Sequence, residues 1–405
     1  MSPFLVVAML SLMLGMQAVT TDLYLPALPA LTQGFGAQMS QAQLTLTAML
    51  LSFGVSQLAW GPLSDRWGRR PVLLVGVWAY TLTALGCTLA PSIDTLIVMR
   101  CLQGVAMGAV VMCARAIVRD LYAPTEGARA MSKALTGLGI IACTSAPLGG
   151  VLAQQLGWRA VLSFLVAYGL ATALLVQTRF RESIPQKNPG ALQVRVLLQT
   201  WLTILRHPSF RAFALLSMGA FGALFSFLAS SSFVYIQVLG LSKIAYGFVL
   251  FTISLAYILG TLLCRRLLLR LGIRQTIRVG ASLSLTGGIL VAVMAYSDVI
   301  SVPSLLGPFY LIMIAHGIHQ PIGQSGAVGP FPQAAGAASA LSGFLMTVVA
   351  FAIGSWLGWR LDGTVFPLVE ALLFWSLWIA AVGWTLVQRH GEPQRELQGE
   401  PRGQS

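Results

Sequence analysis

From residue 4 to residue 387 the chain is a train of apolar runs, each about 20 residues long, parted by short polar loops. As a helix, a run of that length crosses the roughly 30 Å hydrocarbon core of a bilayer. Twelve segments fit: 4–26, 44–62, 72–91, 95–115, 136–156, 159–179, 212–236, 244–264, 278–297, 302–322, 338–358 and 364–387. Hydrocarbon satisfies no backbone hydrogen bond, so only helices and closed barrels span it. These runs are too long and too continuous for barrel strands, and the expectation is an all-α integral membrane protein. Composition agrees. Apolar residues make up 56% of the chain and charged residues 9%, where a soluble protein is about a quarter charged.

The net charge of +13 would suggest nucleic acid in a soluble protein. Here the basic residues sit in short loops, and they alternate in a way that fixes topology instead. Arg66, Arg69 and Arg70 follow the second run, Arg115, Arg119, Arg129 and Lys133 the fourth, and Arg265, Arg266, Arg270, Arg274 and Arg278 the eighth. The long connection after the sixth run and the C-terminal tail are basic as well. The opposite side holds Arg100, Arg159, Lys243 and Arg360. The positive-inside bias therefore puts both termini in the cytoplasm.

The connection at 180–211 divides the chain into six-helix halves, 1–179 and 212–388, with a tail at 389–405 expected to be disordered. It opens polar (RFRESIPQKNPG) and continues as LQVRVLLQTWLTILRHPSF, a pattern suited to an amphipathic helix on the inner surface. The halves echo each other: Arg66, Gly68 and Arg70 reappear as Arg270, Gly272 and Arg274 at the same point of the second half. The N-terminus lacks the basic region of a cleaved signal peptide and reads as the first span. Cys87, Cys101, Cys113, Cys143 and Cys264 form no CxxC or loop pair, so neither disulfide nor metal is indicated.

Between the second and third runs lies GPLSDRWGRRP, residues 61–71. It matches the loop 2–3 signature of the major facilitator superfamily throughout. TDLYLPALP at 21–29 and RCLQGVAMG at 100–108 are similar to motifs of its drug antiporters. RAIVRDLY at 115–122 and AGAASALSG at 335–343 resemble the Bcr/CflA branch of drug:proton antiporters. Two departures stand out. The Pro-x-x-Gly-Gly ending of the fifth-helix motif is here APLGG, Ala146 to Gly150, one residue short, and Met346 stands where the branch often has glutamine. The resemblance implies a twelve-helix transporter in a bacterial inner membrane, a monomer with no cofactor, that exports drug-like compounds in exchange for protons. Neither nucleic acid nor nucleotide is implied.

Asp22 is the leading candidate for proton coupling. An ionised carboxylate within a membrane helix costs roughly 2.5–3.5 kcal/mol to place, and desolvation makes such a group hold its proton. Arg100 is the expected partner: at helical rise, Asp22 lies about 10 Å and Arg100 about 8 Å outward of their helix midpoints. The two are expected to form a cavity-facing ion pair. Tyr24, Gln57, Arg100 and Gln103 are candidate substrate contacts. Resemblance implies that Asp65 holds one conformation shut, with Arg66, Arg69, Arg70, Arg115 or Arg119 as partners. Gly61 and Gly68 belong to that gating element, Gly61 allowing close approach of helices two and eleven. Pro147, Gly149 and Gly150 are the conformational residues of helix five. His316 and His319 could bind protons, Glu370 is expected to meet headgroups or Arg360, and no chemistry is assigned to His207. An alternative is a carrier of a metabolite such as a sugar or amino acid. The few polar residues of the C-terminal half argue for lipophilic cargo. No nucleophile–base pair, metal cluster or nucleotide loop points to an enzyme.

Overall fold

The computed structural model describes residues 3–122, 124–184, 187, 192–331, 334–360 and 362–390. Among them every regular element is helical: α1 (Pro3–Asp22), α2 (Leu28–Phe35), α3 (Met39–Trp67), α4 (Arg69–Thr88), α5 (Ile93–Leu121), α6 (Pro124–Gln155), α7 (Trp158–Arg179), α8 (Val194–Arg206), α9 (Pro208–Ser232), α10 (Lys243–Tyr296), α11 (Val302–Val328), α12 (Ala335–Arg360), α13 (Phe366–Trp384) and α14 (Leu386–His390). Most helices outrun their apolar runs. Polar residues such as Ser64 and Arg66 end a hydropathy stretch, but the backbone keeps its helical bonds into the headgroup zone.

Eleven helical stretches are long and apolar enough to cross a membrane. One of them, α10, has 54 residues, or about 80 Å at helical rise, more than twice the hydrocarbon thickness. Gly272 interrupts it with φ 72 and ψ 178, so its two arms make separate spans and the passes among the described residues number twelve. The expected spans 244–264 and 278–297 are these arms.

The first span departs from expectation. Instead of one helix over 4–26, α1 stops at Asp22, a 3₁₀ turn covers Leu25–Ala27, and α2 carries the chain on to Phe35. Pro26 has no N–H to give the Asp22 carbonyl and disfavours helical geometry at Leu25. The backbone therefore breaks beside the carboxylate. The connection after α7 contains the expected amphipathic helix, α8. Ile204 docks in the core while Leu198, Leu202 and Leu205 stay exposed along one edge, as for a helix lying in an interface.

The repeat is sharper in three dimensions than in sequence. The six glycines with positive φ among the described residues fall into pairs: Gly36 with Gly240, Gly68 with Gly272, and Gly157 with Gly363. The first two pairs are 204 residues apart and the third 206. Each pair marks the same interhelical turn in the two halves.

Two seams join the halves. In one, α3 packs on α12: a Cβ at Gly54 would collide with Thr347, and one at Gly354 with Thr47. Gln43 of α3 also donates to the Ala229 carbonyl of α9. In the other, α6 packs on α10. A Cβ at Gly247 would lie 2.7 Å from the Ala146 oxygen, and Lys243 Nζ donates to the Ala153 carbonyl at 3.1 Å. Contacts this close need residues without side chains. Both seams run toward the face opposite the arginine-rich loops.

Gly272→Ala forces a side chain into a backbone region occupied almost exclusively by glycine, at about 1–3 kcal/mol. Thermal unfolding in detergent should show a lower Tm for it. Gly139→Ala, on an open helical site, should leave Tm level or raised.

Candidate functional site

Between the halves lie two adjoining parts of a cavity, both lined by Gln17 and Phe221. The deeper part, about 210 Å³, is bounded by α1, α3, α6 and α9 and holds Asp22 beside Thr21. The shallower part, about 120 Å³, opens toward the arginine-rich face past Arg115 and Gln324. Leucines line most of the deep end, and Phe221 and Phe225 stack there with centroids 6.2 Å apart.

Asp22 terminates α1 at the backbone break and turns its carboxylate into this cavity. Thr21 Oγ1 donates to Asp22 Oδ1 at 3.0 Å. The expected ion pair with Arg100 is not formed. Arg100 is fully buried inside the first half. It donates to the Thr20 carbonyl at 3.2 Å, the Thr45 carbonyl at 3.3 Å and Gln103 Oε1 at 2.8 Å. Its guanidinium also lies 4.3 Å from the Tyr24 ring centroid. The depth argument brings Arg100 to the right level, since it reaches Thr20, two residues from Asp22. Two residues are about 200° round a helix, so the carboxylate points the other way. Arg100 thus ties α1, α3 and α5 together.

Of the four candidate substrate contacts, Gln57 lines the cavity. Tyr24, Arg100 and Gln103 are each 0% exposed and line none of its described walls. Tyr24 is engaged with Thr45 through a 2.7 Å hydroxyl contact. Gln17, Gln320 and Gln324 line the cavity and were absent from the sequence candidates. The spacing of Gln320 and Gln324, one turn apart in an apolar run, was the signal available. With Ser339 and Ser342 they make the second half's wall of the cavity more polar than its composition suggests.

At the arginine-rich face the signature loop forms a network within the first half. Arg69, 2% exposed, bridges Asp65 Oδ1 at 2.6 Å and Asp120 Oδ2 at 2.8 Å. Asp65 therefore pairs with Arg69, four residues on, whereas Arg66 is exposed and Arg115 faces the cavity mouth. The side chain of Arg119 lies outside the described residues. Glu182, just beyond α7, accepts from the backbone N–H of Arg69 and Arg70 at 2.9 and 3.1 Å. A carboxylate there suits the positive end of α4. Arg70 returns the contact, donating through Nε to the Phe180 carbonyl at 2.9 Å, at the end of α7. Gly68, with φ 108, lies under Glu182 where a Cβ has no room. Asp120 and Glu182 were not foreseen.

Gly61 does not meet helix eleven: a Cβ there would touch Met112 of α5 at 3.3 Å. The close approach of α3 to α12 falls at Gly54 instead, because the two helices diverge toward the arginine-rich face. In α6, Pro147 sits within one continuous helix. Gly149 abuts the Leu23 carbonyl of the broken first span, and a Cβ at Gly150 would lie 2.5 Å from the Lys243 oxygen. The short APLGG motif is thus where α6 fits against both α1 and α10. His316 Nδ1 lies 3.0 Å from the Ala220 carbonyl, and His319 is fully buried against Gly280. Neither lines the described cavity. Glu370 meets Arg360 at 3.4 Å.

Twelve helical passes in two related halves, closed on one side around a central cavity, are the architecture of a membrane transporter. The chain belongs to the Major Facilitator Superfamily, whose model matches residues 10–355. It is 30% identical over 341 residues to multidrug resistance protein D of Escherichia coli (strain K12), covering 84% of this chain and 85% of that one. To a chloramphenicol resistance protein of Pseudomonas aeruginosa it is 29% identical over 335 residues, covering 82% and 79%. Among solved structures, a bacterial homolog of the human lysosomal transporter Spinster, inward-facing and occupied, superposes with a TM-score of 0.72. The identity is 15%, over 95% of this chain and 96% of that chain, and it shows the shared fold.

Arg100→Ala removes a tie among three helices and leaves their carbonyls open, lowering stability by about 3 kcal/mol. Arg100→Lys should rescue little, because one ammonium cannot reproduce the planar fork. Thermal unfolding of the purified variants checks both.

Proposed function

We propose that the protein exports small amphipathic compounds, antibiotics among them, across a bacterial inner membrane in exchange for protons. The observation that carries this reading is Asp22: a carboxylate inside the bilayer, turned into the cavity between the halves at a break in its helix. Intramembrane acids are costly and mark ion pathways. The names of the similar proteins, chloramphenicol resistance and multidrug resistance, support drug-like cargo.

The arginine-rich loops face the cytoplasm by the positive-inside rule, with both termini on that side. The two seams are then periplasmic, and the cavity opens inward. Drug enters from the cytoplasm or inner leaflet and competes with the proton on Asp22. The halves rock about the site, the seams part, and drug leaves outward. External protons reload Asp22 and reset the carrier. The proton gradient is the energy source, with no cofactor, and a single chain suffices. The Asp65–Arg69–Asp120 network, braced by Glu182, keeps the inner ends of the first half rigid while the halves move.

Asp22→Asn keeps the shape of the side chain and removes its titration. In everted vesicles energised by a proton gradient, uptake of a fluorescent drug should be lost in this variant. Unchanged uptake at matched expression would rule out Asp22 as the proton carrier.

A further inference from the structure

Polar side chains that line a transport cavity and are poorly bonded within the protein can turn to a ligand, and so belong to its recognition surface. Four primary amides fit this description. Gln17 of α1 and Gln57 of α3 come from one half, Gln320 and Gln324 of α11 from the other, and all four line the same part of the cavity. Their partners within the protein are poor. Gln57 Nε2 lies 3.4 Å from the Phe53 carbonyl of its own helix. Gln320 Nε2 lies 3.8 Å from Met346 Sδ, and Gln320 Oε1 is buried with no partner among the described residues.

Charge is kept to the ends of the cavity, with Asp22 at the deep end and Arg115 at the mouth. The level between them carries amides, hydroxyls and the rings of Phe53 and Phe221. A primary amide offers two donors and an acceptor oxygen with two lone pairs. An uncharged ligand with both donors and acceptors can satisfy such a collar without setting a new charge against either end. An apolar cation can stack on the rings but leaves the amides open. On the facing helix α12 it is the Met346 sulfur that Gln320 meets, so at this point the amide comes from α11.

We infer that Gln17, Gln57, Gln320 and Gln324 form an amide collar that selects uncharged amphipathic substrates bearing both hydrogen-bond donors and acceptors. This rests on the transport reading and names its substrate class. The test is equilibrium binding to the purified full-length protein, by tryptophan quenching, of two compounds. Chloramphenicol is a neutral amide diol; tetraphenylphosphonium is an apolar cation without donors or acceptors.

Wild type should favour chloramphenicol. Gln320→Leu and Gln324→Leu should each lower the chloramphenicol-to-tetraphenylphosphonium affinity ratio by about fivefold, the worth of one hydrogen bond. Gln324 is exposed to the cavity, so its variant keeps the fold, and monodisperse elution confirms that for both. A ratio unchanged within about twofold in both variants overturns the collar, as does a wild type that binds the cation alone. Either result leaves transport standing. Binding of neither compound overturns the collar too, and drug uptake into vesicles then decides separately whether the transport reading survives.

Discussion

Hydrocarbon offers no hydrogen bonds, and every polar group along these helices must answer to that. Most hydroxyls do so locally. Ser11 donates to the Val7 carbonyl, Thr81 to Val77, Thr88 to Ala84 and Thr172 to Tyr168, each one turn back. Arg100 is too large for that solution and is satisfied instead by two backbone carbonyls, an amide and a ring face drawn from three helices. Several other polar atoms, the hydroxyls of Ser217, Tyr235 and Ser284 among them, are buried away from the cavity with no hydrogen-bond partner among the described residues. Asp22 and the four glutamines differ from these in their place, since all five line the cavity between the halves.

The second organising element is the way the halves meet. Small residues bring α3 onto α12 and α6 onto α10 on one face, and the helices splay on the other. A Cβ at Gly150 or Gly247 would intrude on a backbone carbonyl, so these seams can close fully or part, with little between. The break of the first span adds to this. It places Asp22 next to Leu23, whose carbonyl faces Gly149 of α6. Asp22 and the α6 seam thus share one junction, which in the proposed cycle is a physical route from protonation to separation of the halves.

Sequence carried the architecture well. Apolar runs of bilayer length, arginine placement and the Gly68–Gly272 echo led to twelve passes in two halves, and the signature loop led to the superfamily. Azimuth was the weak point. Helical rise places Asp22 and Arg100 at one level, but only packing shows them on opposite sides of α1. The same ambiguity placed Tyr24 and Gln103 on the cavity when they face the interior of the first half. It also put Gly61, not Gly54, at the α3–α12 seam. Asp120 and Glu182 went unseen because an acid in a basic loop has many arginines within sequence reach. The kink at Asp22 was legible in Pro26 but was overridden by the length of the run.

Alternating access through this cavity requires the α3–α12 seam to open during each cycle. A Cβ at Gly358 would lie 3.6 Å from that of Gln43, close to the 3.8 Å typical of a disulfide. The Gln43→Cys, Gly358→Cys double variant should cross-link on oxidation. Drug uptake into everted vesicles should then stop and return when dithiothreitol cleaves the bond. Undiminished uptake by fully cross-linked protein would mean that the seam never opens and would contradict alternating access through this cavity.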